Sequence, residues 1–317
     1  MDVAAAYTFA WRNATKIPEP VLRALFTVVA DVTWLRHGKS VRRMEDNYAR
    51  VRPDLDAAGV RRLSRAGMRS YMRYFREAFT LQGVTTQELR ERVRVEGYDE
   101  HVRPVVDSGG AVSLALGHLG NWDLAGAYGS QYLASVLTVA ERLKPDELFE
   151  EFVRFRASLG IDVLALGNGD VLGSLIRSAK EGSRLIPLLS DRDLTSTGIE
   201  VDLAGHRARV AAGPALLGLE ADVPVHAVGV TYERLRGARR RAAGTPWGII
   251  IRFYPPLPVP DAGLPREERV RLLTQGWVDQ LTGTIVEHTH DWHMLQRVFV
   301  ADLGPARRNG GRGRDQG

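Results

Sequence analysis

The chain has 317 residues, 44% of them apolar, enough for one large or two modest domains with a substantial core. Its 43 Lys and Arg stand against 38 Asp and Glu, a net charge of +5. So mixed a balance suits an anionic lipid surface or a phosphorylated ligand and argues against a dedicated nucleic-acid binder, whose charge clusters more strongly. The absence of cysteine excludes disulfides, thiolate catalysis and cysteine zinc sites.

The opening MDVAAAYTFAWRNATKIPEP lacks the basic start and long apolar run of a signal peptide. Residues 18–82 read as helical, with Pro18 and Pro20 at the start and Gly38, Pro53 and Gly59 as punctuation. Within them VLRALFTVVADVTWL (21–35) carries a wide apolar face of Val21, Leu22, Leu25, Phe26, Val28, Val29 and Val32. Arg23 and Asp31 interrupt it, and it falls short of the ~20 residues that span a bilayer. It reads as an interfacial helix or an ordinary core helix. MRSYMRYFREAF (68–79) interleaves Arg69, Arg73 and Arg76 with Tyr71, Tyr74, Phe75 and Phe79. That pattern fits nucleic acid, a solvated basic face, or a membrane-facing helix whose arginines reach phosphates while its rings sit at the interface.

From residue 111 the pattern alternates between strands and helices. AVSLALG (111–117), SVLTVAE (135–141), IDVLAL (161–166), SRLIPLLSD (183–191), VPVHAVGVTYE (223–233) and WGIIIRFYPPL (247–257) read as strands. Helices are expected near 124–133 and over 145–160, 170–182, 214–222 and 265–289, with DWHMLQRVF (291–299) continuing the last after a break. GIEVDLAGHRARV (198–210) reads as a hairpin turning at Ala204-Gly205. The alternation predicts an α/β fold with a mixed central sheet flanked by helices and preceded by a helical region. The tail from Gly304, rich in Gly and Arg, reads as disordered.

Two polar clusters follow predicted strands, where ligands gather in α/β sheets. GHLGNWDLAG (117–126) sets His118 and Asp123 five positions apart, with Gly117 and Gly120 permitting a tight path. A neutral imidazole can take a proton from a substrate hydroxyl, and a carboxylate on its other nitrogen fixes the tautomer. The bland alternative is a core histidine bonded to a nearby aspartate. No Gly-x-Ser-x-Gly elbow supplies a serine nucleophile, so such a base would activate an incoming hydroxyl directly. SDRDLTSTGIE holds Asp191 and Asp193; if AVSLALG and SRLIPLLS share a sheet, either aspartate could approach His118. Glu141, Arg142 and Arg156 lie between the clusters, where arginine in a cleft would pair with phosphate. HTHDWHML brings together His288, His290 and His293, yet His288 and His290 do not share a helix face and His-Glu-x-x-His is absent, so no metal site is expected.

GHLGNWD resembles the histidine–aspartate box of the bacterial lipid A biosynthesis acyltransferase family, a branch of the glycerolipid-type acyltransferases. The order VRRMEDNYARV, MRSYMRYFREAF, GHLGNWD, VAERLKPDELFEEFVRFRASLG, LSDRDLTSTGIEVDLAGHRARVAAGPALL and DWHMLQRVF is similar to that family along nearly the full chain. VAERLKP and SDRDLT-x-x-GIEVD look most like the branch that acylates phosphatidylinositol mannosides. The resemblance implies a glycerolipid acyltransferase-like fold and a single acyltransferase domain over 1–303. Residues 1–100 would be mainly helical and membrane-facing, 101–303 the catalytic core, and 304–317 the tail. It implies transfer of a long acyl chain, such as palmitoyl, from acyl-CoA as co-substrate to a mannose hydroxyl of a phosphatidylinositol mannoside, with no cofactor, metal or nucleic acid. The site would be a peripheral one at an anionic membrane surface, on the cytoplasmic side. His118 would be the base, Asp123 would support the loop or the imidazole, and Asp191 would be the relay carboxylate. Glu141, Arg142, Arg156 and Asp193 would line the substrate site. The same chemistry would serve another glycolipid or a lysophospholipid.

Overall fold

The computed structural model describes residues 14–141, 146–167, 169–193 and 197–303. The segment read as a disordered tail lies outside them, as do most of the opening stretch and Arg142.

Three helices open the described chain: α1 (Glu19–Arg36), α2 (Lys39–Val51) and α3 (Ala57–Thr80). Pro20 in the first turn starts α1, and His37 in the left-handed region ends it. The Asp56 side chain caps α3 by accepting from the Gly59 N–H at 2.6 Å. α4 (Thr86–Arg92) follows with a capping box between Thr85 and Glu88. Then come β1 (Val93–Glu96), two short helices α5 (Tyr98–His101) and α6 (Arg103–Asp107), β2 (Ala111–Leu116), α7 (Trp122–Tyr132), β3 (Val136–Ala140), α8 (Asp146–Ser158), β4 (Ile161–Ala165), α9 (Val171–Lys180) and β5 (Arg184–Leu189). The hairpin β6 (Ile199–Leu203) and β7 (His206–Val210), α10 (Gly213–Ala221), β8 (Val225–Arg234), α11 (Gly237–Ala242), β9 (Trp247–Phe253) and α12 (Arg266–Glu287) complete the order.

Seven strands form one sheet in the order β1-β9-β8-β2-β5-β3-β4, parallel throughout except for the antiparallel pair β8–β9. This is the mixed α/β architecture that the alternation predicts. β2 sits at the centre and every one of its residues is buried, as expected for a strand with neighbours on both edges and helices on both faces. Its side chains divide the core. Ala115 packs with α2, α3, α12 and the hairpin, whereas Val112, Leu114 and Leu116 pack with α7 and the strands on the opposite face. The hairpin turns where expected: Ala204 (φ 53°) and Gly205 (φ 80°) both take the positive φ of a type I′ turn.

One strand lies outside those expected, and one expectation fails. VRVE, within the region expected to be mainly helical, forms edge strand β1, pairing Val93–Glu96 with Ile249–Arg252 of β9. DWHMLQRVF does not continue the last helix, which stops at Glu287 and gives way to a 3₁₀ turn and extended chain. Its carbonyls are taken elsewhere. The Tyr48 hydroxyl donates to Trp292 O at 2.9 Å, and Asn47 Nδ2 donates to Met294 O and Gln296 O at 3.0 and 2.8 Å. Tertiary donors thus replace the helical ladder, and a local pattern cannot reveal them.

The arginines of α3 also depart from a lipid-facing role. Arg65 and Arg69 converge on Asp31 of α1, whose carboxyl their hydrogen bonds hold far below the usual range. Arg73 is half-buried over the rings of Trp247 and Tyr232, 3.5 and 4.5 Å from their centroids. Arg76 is buried between Glu19 and Glu77. They bind helix to helix and helix to sheet.

Candidate active site

β2 and β5 are parallel neighbours, with Leu116 opposite Leu189. Carried two residues past both strands, that register places His118 opposite Asp191. The Ser190 N–H still donates to Leu116 O at 2.8 Å, so the pairing extends into the loops. Asp191 Oδ1 lies 2.5 Å from His118 Nδ1, and its Oδ2 accepts from the His118 backbone N–H at 2.9 Å and from the Trp292 indole N–H at 2.8 Å. Burial works to raise the Asp191 carboxyl, but the His118 ring and these donors outweigh it and hold the group below the usual carboxylate value. Asp191 is therefore ionised and only accepts, so the shared hydrogen sits on Nδ1, and in the neutral ring Nε2 is the nitrogen that can accept a proton. The Asp191 side chain is 2% exposed and the His118 side chain 20%, which leaves the imidazole within reach of a ligand.

Asp123 stands at the start of α7, whose first turn is capped by Asn121 accepting from Leu124 N–H at 2.9 Å. It does not touch the imidazole. Its Oδ2 accepts from the Tyr74 hydroxyl at 2.7 Å and its Oδ1 from Arg156 Nε at 2.8 Å, all three side chains being buried. The Arg156 guanidinium also lies 4.3 Å from the Phe152 ring centroid. Of the two tasks expected of Asp123, supporting the loop or the imidazole, its hydrogen bonds fit the first: it ties α7 to α3 and α8. Gly120 completes the turn with φ +57°, and a Cβ there would sit 2.5 Å from Val230 O.

The other expected residues lie further out. Glu141 is exposed just past β3, with β5 between that strand and β2. The Asp193 backbone N–H donates to Arg209 O at 2.9 Å, which ties it to β7. Among the described residues no group of three or more His, Asp and Glu is placed to hold a metal. Trp292 was not among the expected site residues; it lies 101 positions from the carboxylate it contacts, inside a segment whose histidines were weighed as metal ligands.

An apolar slot lies on the far side of Trp122 from the imidazole, lined by Trp122 but not by His118. It runs beneath α7 across β2, β3, β5 and β8 and encloses about 710 Å³ with its mouth. Ala125, Gly126 and Gly129 of α7 leave the room for it, against Leu116, Leu185 and Val230 of the sheet. Trp122, Asp123 and Arg156 also line the slot, and the Trp122 ring stands edge-on to His118 at 5.5 Å between centroids.

The model of the bacterial lipid A biosynthesis acyltransferase family matches residues 3–300. The chain belongs to that family. As a member it shares 34% identity over 305 residues with a phosphatidylinositol mannoside acyltransferase of Mycolicibacterium smegmatis, covering 95% of this chain and 93% of that protein. It shares 35% identity over 309 residues with a protein of the same name from Mycobacterium tuberculosis, covering 96% of this chain and 90% of that one. Against the crystal structure of a 1-acyl-sn-glycerophosphate acyltransferase from Thermotoga maritima the TM-score is 0.37 at 17% identity, over 87% of this family member and 97% of that chain. The family makes this protein an acyltransferase of lipid biosynthesis.

Proposed function

We propose that the protein transfers a long acyl chain, such as palmitoyl, from acyl-CoA to a mannose hydroxyl of a phosphatidylinositol mannoside, with His118 as general base. One observation carries the reading: a reachable imidazole, its Nδ1 held by a buried carboxylate, packs against Trp122, a wall of a narrow apolar slot. Nε2 of His118 takes the proton of the acceptor hydroxyl as that oxygen attacks the thioester carbonyl. The imidazolium that forms is stabilised by Asp191. Collapse of the tetrahedral intermediate breaks the C–S bond, and the departing thiolate takes the proton back. Base and acid are the same nitrogen, so no covalent enzyme intermediate is needed.

The slot suits the acyl chain because its walls are almost entirely hydrocarbon and its bore is narrow. Acceptor identity rests on the names of the two mycobacterial relatives. Approach to an anionic membrane rests on α1. Val21, Leu25, Val28, Val32 and Leu35 are between 39% and 67% exposed and recur every three or four residues, a continuous apolar stripe. Arg36, Lys39 and Arg42, all exposed, stand at its end. No described helix is long and apolar enough to cross a membrane, so the stripe would lie in the surface. The single-domain organisation over residues 1–303, with helices turned to the lipid, belongs to the same proposal.

The test is transfer from radiolabelled palmitoyl-CoA to phosphatidylinositol mannoside in vesicles, with the product identified by mass spectrometry. We expect a mono-acylated product from the native protein and loss of at least about 10³-fold in His118→Ala. No product from the native protein, or an undiminished rate in His118→Ala, would overturn the assignment.

A further inference from the structure

The segment Asp291-Trp292-His293 meets both members of the His118–Asp191 pair. Its backbone lies along the loop that carries His118. Leu119 and Trp292 form an antiparallel bridge, the Gly120 N–H donates to Asp291 O at 2.9 Å, and the His293 N–H donates to His118 O at 2.7 Å. The indole of Trp292, wholly buried, donates to Asp191 Oδ2. That bond pins one carboxylate oxygen, and the other then faces His118 Nδ1.

The segment is itself anchored from three sides. The Tyr48 hydroxyl of α2 holds Trp292 O. Ser70 of α3 donates its hydroxyl hydrogen to Asp291 Oδ1 at 2.7 Å, and the Tyr232 N–H of β8 donates to Asp291 Oδ2 at 2.8 Å. Having given its only hydrogen to Asp291, Ser70 Oγ can only accept from His293 Nε2, 3.1 Å away. The His293 ring is therefore the Nε2–H tautomer, and its Nδ1 is bare and buried without a partner. The ring packs against Trp122 at 6.0 Å between centroids, and Trp122 packs against His118.

We infer that Trp292 is a positioning residue for the reaction, aiming Asp191 at His118, and that the Asp291–His293 segment is the frame that holds base and carboxylate in register. This rests on the reading of His118 as base. It also assigns a task to the inner faces of α2 and α3, whose outer companion α1 carries the lipid-facing stripe. The titrating groups that act on Asp191 are His118 on its loop and, through space, His293 on the frame, which itself faces Arg73 of α3, His118 and His290.

The test compares Trp292→Phe with the native protein in the transfer assay. Phenylalanine keeps most of the buried ring and removes the N–H. We expect kcat to fall about tenfold to a hundredfold, as for a small misplacement of a reacting group, with KM within about twofold. With one donor fewer, Asp191 is the more basic and stabilises the imidazolium more, so the acid limb of the kcat/KM profile should move to higher pH. A second readout needs no substrate. The His118 Nδ1–H shared with Asp191 should give a strongly downfield proton NMR signal, absent in His118→Ala and Asp191→Asn and shifted upfield in Trp292→Phe. An unchanged kcat, pH profile and proton signal in Trp292→Phe would overturn the inference. If Trp292→Phe does not fold, Tyr48→Phe decides: a fall in kcat at unchanged KM supports the frame, and native kcat overturns it. Absence of transfer by the native protein would instead sink the functional reading, while the NMR arm still judges the frame.

Discussion

Two buried carboxylates serve one loop, and their surroundings set them apart. Asp191, at the end of β5, accepts from an imidazole, a backbone amide and an indole, and leaves the imidazole poised and reachable. Asp123, at the head of α7, accepts from a guanidinium and a phenol that are both buried, so its charge is spent on joining three helices. Proximity in sequence misleads here: the aspartate five positions away is structural, and the one 73 positions away is the partner. A carboxylate's role is set by whether its partner can still change protonation state, and Arg156 cannot.

The largest expected effect sharpens that contrast. Asp191→Asn should keep the fold but present an amide N–H to Nδ1, favouring the wrong tautomer and lowering kcat by about 10²- to 10⁴-fold. Steady-state transfer rates at saturating substrate would show it; a rate near native would place the relay elsewhere. Asp123→Asn should act chiefly on stability. Leaving the Arg156 guanidinium buried against a neutral amide costs about 3–5 kcal/mol, read as a drop in ΔG of urea unfolding. If Asp123→Asn were as stable as the native protein but as slow as Asp191→Asn, the division between the two carboxylates would be wrong.

How much of this could be read from the sequence follows the same line. Strand β2 and its polar loop were visible because a short apolar run ending in glycine is a local signal. The approach of Asp191 could be framed only as a condition on β2 and β5 sharing a sheet, since pairing is a tertiary fact. The fate of Arg73 and Arg76 was hidden for the same reason. An arginine beside aromatics looks alike whether it faces phosphate or stacks on a tryptophan 174 positions away. Trp292 was hidden altogether, because its one polar atom matters only through a partner on another element.

The outer face of the helical region behaves differently from its inner face, and a milder substitution separates them. Replacing Leu25 and Val28 together by serine should leave the urea midpoint unchanged, since both side chains are at least half exposed. Their loss should weaken binding to anionic vesicles by roughly 1.5 kcal/mol per side chain, about tenfold each, measured by co-sedimentation. A variant that binds as well as the native protein would remove α1 from the membrane contact.

The smallest effect concerns pH. Burial holds His293 well below the ordinary histidine value, with the nearby Arg73 charge adding to it, and burial also lowers His226 despite its bond to Tyr254 O. A histidine with a depressed folded pKa binds a proton more readily when unfolded, so its contribution is complete above about 6.5 and is lost as pH falls below it. Asp191 also has a lowered value, and its contribution is complete above the unfolded carboxylate value near 3.8 and is lost only as pH falls below that. Between pH 6.5 and 5 the histidines therefore set the slope, up to about 1.4 kcal/mol per pH unit for each one that stays neutral in the fold. His293→Gln keeps an N–H for Ser70 but cannot titrate, so its unfolding free energy should fall less steeply over that range. Urea titrations at pH 7.5, 6.0 and 5.0 would measure both slopes. Equal slopes would mean that His293 takes up its proton in the folded state, and the neutral ring beside Trp122 would then be the wrong description of the frame at acid pH.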